Sequence, residues 1–169
     1  RFDAGIRLGQ RVERDMVAVR VSGDIALVAV ASPAYLERHG TPVKPQDLRD
    51  HNCIRFRFPG GGIMPWRFEK KGKRLEVAVD GSLITSDPRL GVCVAADDGG
   101  VFYTAQLYAA ELLAQGKLIS VLADWAPPSD AFYLYYPSRR QNPAALQVLI
   151  EFLKANVREN GGRSERRTR

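Results

Sequence analysis

The sequence predicts an α/β fold, a largely parallel sheet covered by helices. Three observations carry that reading. Apolar or alternating runs of strand length repeatedly give way to segments of helical length, the pattern of strands packed beneath helices. Ser32-Pro33 and Asp87-Pro88 each follow a strand-like run and supply an N-cap with a first-turn proline. The composition, 45% hydrophobic and 26% charged over 169 residues, is that of an ordinary globular chain. At roughly 100–150 residues per domain, this length suits one domain or two small packed lobes.

The elements follow in order. Residues 25–31 are continuously apolar and partly β-branched, as in a strand buried on both faces. Ser32 then caps a short helix over 34–39, which Gly40 stops, and residues 46–50 add one helical turn. From Cys53 the period becomes two, with Ile54, Phe56 and Phe58 on one face and Arg55 and Arg57 on the other, a half-buried strand. Beyond the loop at Gly60-Gly61-Gly62, Trp66 and Phe68 alternate with Arg67 and Glu69. After a turn around Gly72, Leu75, Val77 and Val79 alternate again, so a hairpin with one wet face is expected. A short strand over 83–85 leads to a helix from Asp87-Pro88 to about Asp98, ended by Gly99-Gly100. Strand 101–103, helix 106–115 closed by Gly116, and strand 117–122 come next. Pro127-Pro128 breaks the chain before an aromatic strand over 131–136. Asn142 and Pro143 start a last helix, with Leu146, Leu149, Ile150, Leu153 and Val157 on one face.

Composition also excludes classes. The longest apolar run has seven residues, far below the roughly 20 that span a bilayer, and no basic-then-apolar leader opens the sequence. Cys53 and Cys93 stand in no metal or redox spacing, which fits a reducing, cytoplasmic compartment. Of the formal +6, half lies in 158–169, where five arginines face two glutamates. That stretch reads as a disordered basic tail, and the body carries no strong footprint for nucleic acid.

The catalytic inventory is thin. His39 and His51 lie in turn-like segments with surface or capping roles, and His51 with Cys53 makes only half of a four-ligand zinc set. Asp97 and Asp98 diverge as neighbours on a helix end and read as solvated carboxylates. The triple glycine leads into a strand, unlike a phosphate loop, and neither GxSxG nor GxGxxG occurs. No catalytic residue, cofactor or metal is therefore expected. Polar residues do gather at strand-to-helix junctions: Ser32, Thr85, Ser86 and Thr104. Beyond the carboxyl ends of parallel strands such residues meet ligands, and they equally serve as helix caps.

A collinear series of short segments resembles the effector-binding domain of LysR-type transcriptional regulators. It comprises Phe2-Asp3-Ala4-Gly5-Ile6-Arg7-Leu8-Gly9, then Val28-Ala29-Val30-Ala31-Ser32-Pro33-Ala34-Tyr35-Leu36, with Gly40, Pro42 and Asp47-Leu48. Trp66-Arg67-Phe68, Gly100-Val101, Gly116-Lys117-Leu118, Val121-Leu122-Ala123-Asp124-Trp125 and Leu134 to Arg140 continue it in order. The match covers about residues 1–157, and it departs at Asp97-Asp98-Gly99-Gly100, where relatives carry a small-residue turn.

The resemblance implies a two-lobed fold of the type 2 periplasmic-binding-protein kind. Residues 1–31 and 132–157 would be an incomplete lobe one and 32–131 lobe two, with a small-molecule effector held between them. Arg7 would be the charge partner of an acidic effector or a member of an interlobe or surface ion pair. Ser32, Thr85 and Ser86 would donate at the hinge or cleft rim, and Phe102, Tyr103 and Thr104 would line the lobe-two wall. Phe56 would add an aromatic surface or belong to the core. DNA would be read only through an N-terminal winged helix-turn-helix outside this sequence, so the chain is expected to be a fragment of a longer homo-oligomeric regulator, short of the elements on which its last helix should dock. The alternatives are a free-standing solute-binding protein and an enzyme on a two-lobed α/β scaffold.

Overall fold

The computed structural model describes residues 3–9, 15–138 and 143–164, with side chains as far as Val157. The chain groups into two compact units, 1–25 with 129–169 and 26–128. Strand Leu27–Ala31, expected in lobe one, therefore belongs to the second unit.

The second unit is built on a five-stranded sheet. Its strands are β3 (Leu27–Ala31), β4 (Cys53–Phe56), β7 (Ile84–Thr85), β8 (Val101–Ala105) and β9 (Ile119–Val121), in the order β7-β4-β8-β3-β9. The sheet is mixed rather than largely parallel: β4 runs parallel to β7 and β8, whereas β3 runs antiparallel to β8 and β9. Alternation along each strand feeds two separate cores. Ala29, Ala31, Cys53, Val101 and Tyr103 face one side; Val30, Ile54 and Phe102 face the other.

The first side is covered by helix α1 (Pro33–His39), the 3-10 turn Pro45–Asp50 and the hairpin of β5 (Trp66–Lys70) with β6 (Lys73–Val77). Trp66, Phe68 and Val77 of that hairpin are buried against Tyr103 and Cys53, while Arg67 and Glu76 pair on its wet face. Burying each large side chain contributes about 1.5–3 kcal/mol. This cover explains why β4 is buried on both faces at its start rather than on one as the alternation suggested. The hairpin turns at Lys71 and Gly72, both at positive φ, the backbone that matches strand twist in a two-residue connection.

The second side is covered by α2 (Pro88–Ala96) and α3 (Gln106–Ala114). Asp87 caps α2 by accepting the Arg89 N–H at 2.8 Å, as its position before Pro88 predicts. Gly91 lies directly on the Phe102 ring, where a Cβ would come within 2.4 Å of a ring carbon.

The first unit holds a three-stranded antiparallel sheet ordered β1-β10-β2, from β1 (Gly5–Leu8), β2 (Met16–Arg20) and β10 (Phe132–Pro137). Its two early strands were not read from the sequence, because four- and five-residue runs with an exposed edge give little period. Helix α4 (Ala144–Ser164) docks Leu146, Ile150 and Leu153 on Leu134, Val19, Val21 and Tyr136, so most of its apolar stripe finds a partner within the chain. Leu149 does not join that contact and is exposed with Val148 and Phe152. The helix also runs through 158–164, where a disordered tail was expected. The Asn142 cap and the end of that tail, 165–169, lie outside the described residues.

Candidate functional site

Parallel pairing decides which side chains share an edge. β7, β4 and β8 run the same way, so their carboxyl ends meet at one edge of the sheet, followed by the start of α2 after β7 and of α3 after β8. Thr85 pairs with Phe56 across β7 and β4, and Thr104 stands two residues beyond the Ile54–Phe102 pair on β8. Thr85, Ser86 and Thr104 thus gather at this edge.

Thr85 is buried, and its hydroxyl is spent locally: Oγ1 accepts the Asp87 N–H at 3.0 Å and donates to the Asp87 carbonyl at 3.2 Å. Ser86 is exposed, and Thr104 is buried opposite Val28. Phe102 and Tyr103 sit inside the unit. Phe102 belongs to the core under α2 and α3, and Tyr103 stacks on Trp66 at 5.3 Å and donates its hydroxyl to the Arg67 carbonyl at 2.6 Å. Burial raises the Tyr103 phenol above its ordinary range.

Ser32 is placed elsewhere. Because β3 runs antiparallel to β8, its carboxyl end lies at the opposite edge of the sheet from Thr85 and Thr104. Its hydroxyl accepts the Tyr35 N–H at 3.1 Å and donates to Asp98 Oδ1 at 2.6 Å, which makes it a helix cap tied to the turn before β8. Asp98, at φ 63°, also pairs with Arg38 at 2.7 Å and is not a free solvated carboxylate. Arg7 lies on exposed β1 opposite Tyr133 of β10, in the first unit.

One residue of the edge escaped the sequence reading. Arg57, just past β4, donates its backbone N–H to the Thr85 carbonyl at 2.8 Å and is exposed. It looked like one of two wet-face arginines, and only the β4–β7 pairing brings it beside Ser86. Phe56 contacts the core under α2 and packs edge-on against Phe58 at 5.6 Å.

The start of α3 differs from that of α2. Its N-cap is Ala105 and no side chain caps it, although the N–H of Gln106 is already donated to the Ala26 carbonyl at 2.8 Å. The N–H groups that follow in such a turn are open to an anion.

His51 takes the capping role rather than the surface one: it is buried and C-caps the 45–50 turn. Cys53 donates to the Leu48 carbonyl at 3.4 Å, and burial pushes its thiol up to about 12, which keeps it protonated at neutral pH. No group of three or more His, Cys, Asp or Glu side chains converges among the described residues.

A family model described as the LysR substrate binding domain matches residues 1–158. The chain belongs to that family. It is 39% identical over 155 residues to a candidate transcriptional regulator of Pseudomonas aeruginosa, covering 91% of this chain and 51% of that protein. To the HTH-type transcriptional regulator PgrR of Escherichia coli it is 34% identical over 155 residues, covering 91% of this chain and 52% of the other. The chain therefore spans about half the length of these relatives. Among solved structures, the regulatory domain of AphB from Vibrio vulnificus superposes with a TM-score of 0.73 at 21% identity, over 92% of this chain and 75% of that one. The CrgA regulatory domain from Neisseria meningitidis gives 0.68 at 23%, over 93% and 74%. These likenesses show the fold, that of LysR-type regulatory domains, which is the two-lobed type expected. No described helix of this LysR substrate-binding domain is long and apolar enough to cross a membrane.

Proposed function

We propose that this LysR substrate-binding domain is the effector-sensing part of a transcriptional regulator and carries out no catalysis. The match over residues 1–158 carries this reading. The arrangement of the second unit supports it: three parallel strands present their carboxyl ends at one edge, with two helix starts beside them. Ligands meet open α/β sheets at such edges.

The effector class that fits is a small carboxylic acid. Exposed Arg57 supplies a cation, Ser86 a hydroxyl, and the first turn of α3, beyond the Gln106 N–H that the Ala26 carbonyl takes, supplies N–H donors with no acidic residue among them. Asp87 already fills the start of α2, which directs an anion toward α3 instead. An effector acts by binding one conformation more tightly than another and shifting the population accordingly. DNA recognition and homo-oligomer formation belong in this reading to the longer regulator.

Thermal melting of the chain against a panel of mono- and dicarboxylic acids tests the proposal. A binder that prefers the folded form raises Tm by an amount that grows with the logarithm of its concentration over Kd. Arg57→Gln should weaken binding about tenfold or more while leaving the ligand-free melt in place, since a charge-assisted hydrogen bond contributes about 1.5–3 kcal/mol. If no acid shifts Tm, or if Arg57→Gln binds as the parent does, the proposed edge is wrong.

A further inference from the structure

We infer that His51, Tyr35 and Asn52 form an acid-sensitive latch, closed while His51 is neutral, at the edge of the sheet where β4 and β8 begin. The argument is one of hydrogen-bond accounting. Tyr35 of α1 is 2% exposed; its hydroxyl accepts the Asn52 N–H at 3.0 Å and stands 3.3 Å from His51 Nδ1. A backbone N–H can only donate, so the buried hydroxyl satisfies its own hydrogen by giving it to Nδ1. Nδ1 must then be unprotonated, with the ring proton on Nε2. Adding a proton to His51 sets a second donor against the same hydroxyl and strands the Tyr35 hydrogen in a buried place.

The surroundings bear on that proton from every side. His39, stacked on the Tyr35 ring at 4.5 Å, opposes a second positive charge, while Asp47 and Asp50 of the 45–50 turn favour it. Burial outweighs them all and holds the imidazole below its usual range. Strand β6 packs on the same turn and brings Lys73, Arg74 and Glu76, of which Arg74 pairs with Glu69 and Glu76 with Arg67. Asp80 is taken by Arg55 and Arg38 by Asp98.

Asn52 transmits the change. Its carbonyl accepts the Val101 N–H at 2.9 Å, its Nδ2 donates to the Gly99 carbonyl at 2.6 Å and to Ser82 Oγ at 3.1 Å, and its Oδ1 accepts the Ser82 N–H at 2.8 Å. Gly100 passes so near that a Cβ there would lie 2.2 Å from the Asn52 carbonyl oxygen. One residue thus fixes both the turn between α2 and β8 and the loop leading to β7. Protonation of His51 loosens that anchorage, whatever the domain binds.

NMR on the 169-residue chain between pH 8 and pH 5 tests the latch. The His51 ring should titrate below the free-histidine midpoint. The Asn52 amide should report the same midpoint, losing about tenfold in exchange protection, corrected for intrinsic rate, for each pH unit by which that midpoint is depressed. His51→Asn places a non-titrating carbonyl oxygen near the Nδ1 position and should abolish both the acid loss of protection and the accompanying fall in Tm. His39→Gln should keep the coupling and move its midpoint upward. An Asn52 amide that ignores the His51 titration overturns the inference, as does a His51→Asn chain that loosens in acid like the parent. Should that variant fail to fold, the titration of the unmodified chain decides alone.

Discussion

Replacing Gly91 by alanine sets two known effects against each other on α2. In an exposed helix interior the change favours folding by about 1 kcal/mol, because alanine loses less backbone freedom. Here the added methyl would stand 2.4, 2.6 and 2.8 Å from Cζ, Cε1 and Cε2 of Phe102, a ring with no solvent exposure, held among Val30, Ile54, Val92 and Leu118. Carbon atoms settle at about 3.5–4.0 Å, so α2 or the ring must move by about 1 Å, in a core packed like a crystal. Overpacking of this kind costs about 1–3 kcal/mol. The depth of overlap places Gly91→Ala toward the upper end, and a net loss of about 1–2 kcal/mol is expected once the helix gain is subtracted. Urea unfolding followed by tryptophan emission measures it. Both tryptophans, Trp66 and Trp125, lie in the 26–128 unit, so the signal reports that unit. With a urea slope of about 2 kcal/mol/M, the midpoint should fall by about 0.5–1 M. Phe102→Leu opens space at the point of contact, so the double variant should show a coupling of about 1 kcal/mol. A rise in midpoint for Gly91→Ala, or strict additivity with Phe102→Leu, would refute the close approach.

Three further outcomes are expected. Ser32→Ala removes both the cap of α1 and the donor to Asp98, and should lower the stability of the second unit by about 1–2 kcal/mol in the same urea assay. A chromogenic disulfide reagent at pH 8 should count one rapidly reacting thiol in the folded chain, exposed Cys93, and two in urea, because Cys53 is buried with its pKa near 12. The Asp47 carboxylate is held below the usual range by the N–H groups of Lys44 and Val43; the stability it contributes is present above its unfolded pKa and lost as pH falls through the folded one. Asp47→Asn should therefore lower Tm between pH 5 and pH 7 and flatten the acid limb below about pH 4, so that the two melting profiles converge in acid.

Local chemistry made much of the second unit legible. Capping side chains placed α1 and α2, glycines closed α1 and α3, and period-two alternation marked the β5–β6 hairpin and its buried tryptophan and phenylalanine. These signals are written in neighbouring residues, since propensity and capping act over a turn or two. The short strands β1 and β2 left no such trace, and Leu149 showed the right period yet faces away from the three-stranded sheet.

What the sequence determined, then, was the set of elements, their caps and the family they spell out in order. Direction and register were decided only in three dimensions, because strand pairing joins residues far apart in the chain and leaves no local signature. The antiparallel run of β3 carries Ser32 to the edge opposite Thr85 and Thr104. The parallel run of β7 beside β4 brings Arg57 to Ser86, and the meeting of α1 with the start of β4 turns a histidine read as a surface or capping residue into the buried partner of Tyr35. A one-dimensional pattern specifies which face a side chain takes; the pairing of strands specifies whom it meets there.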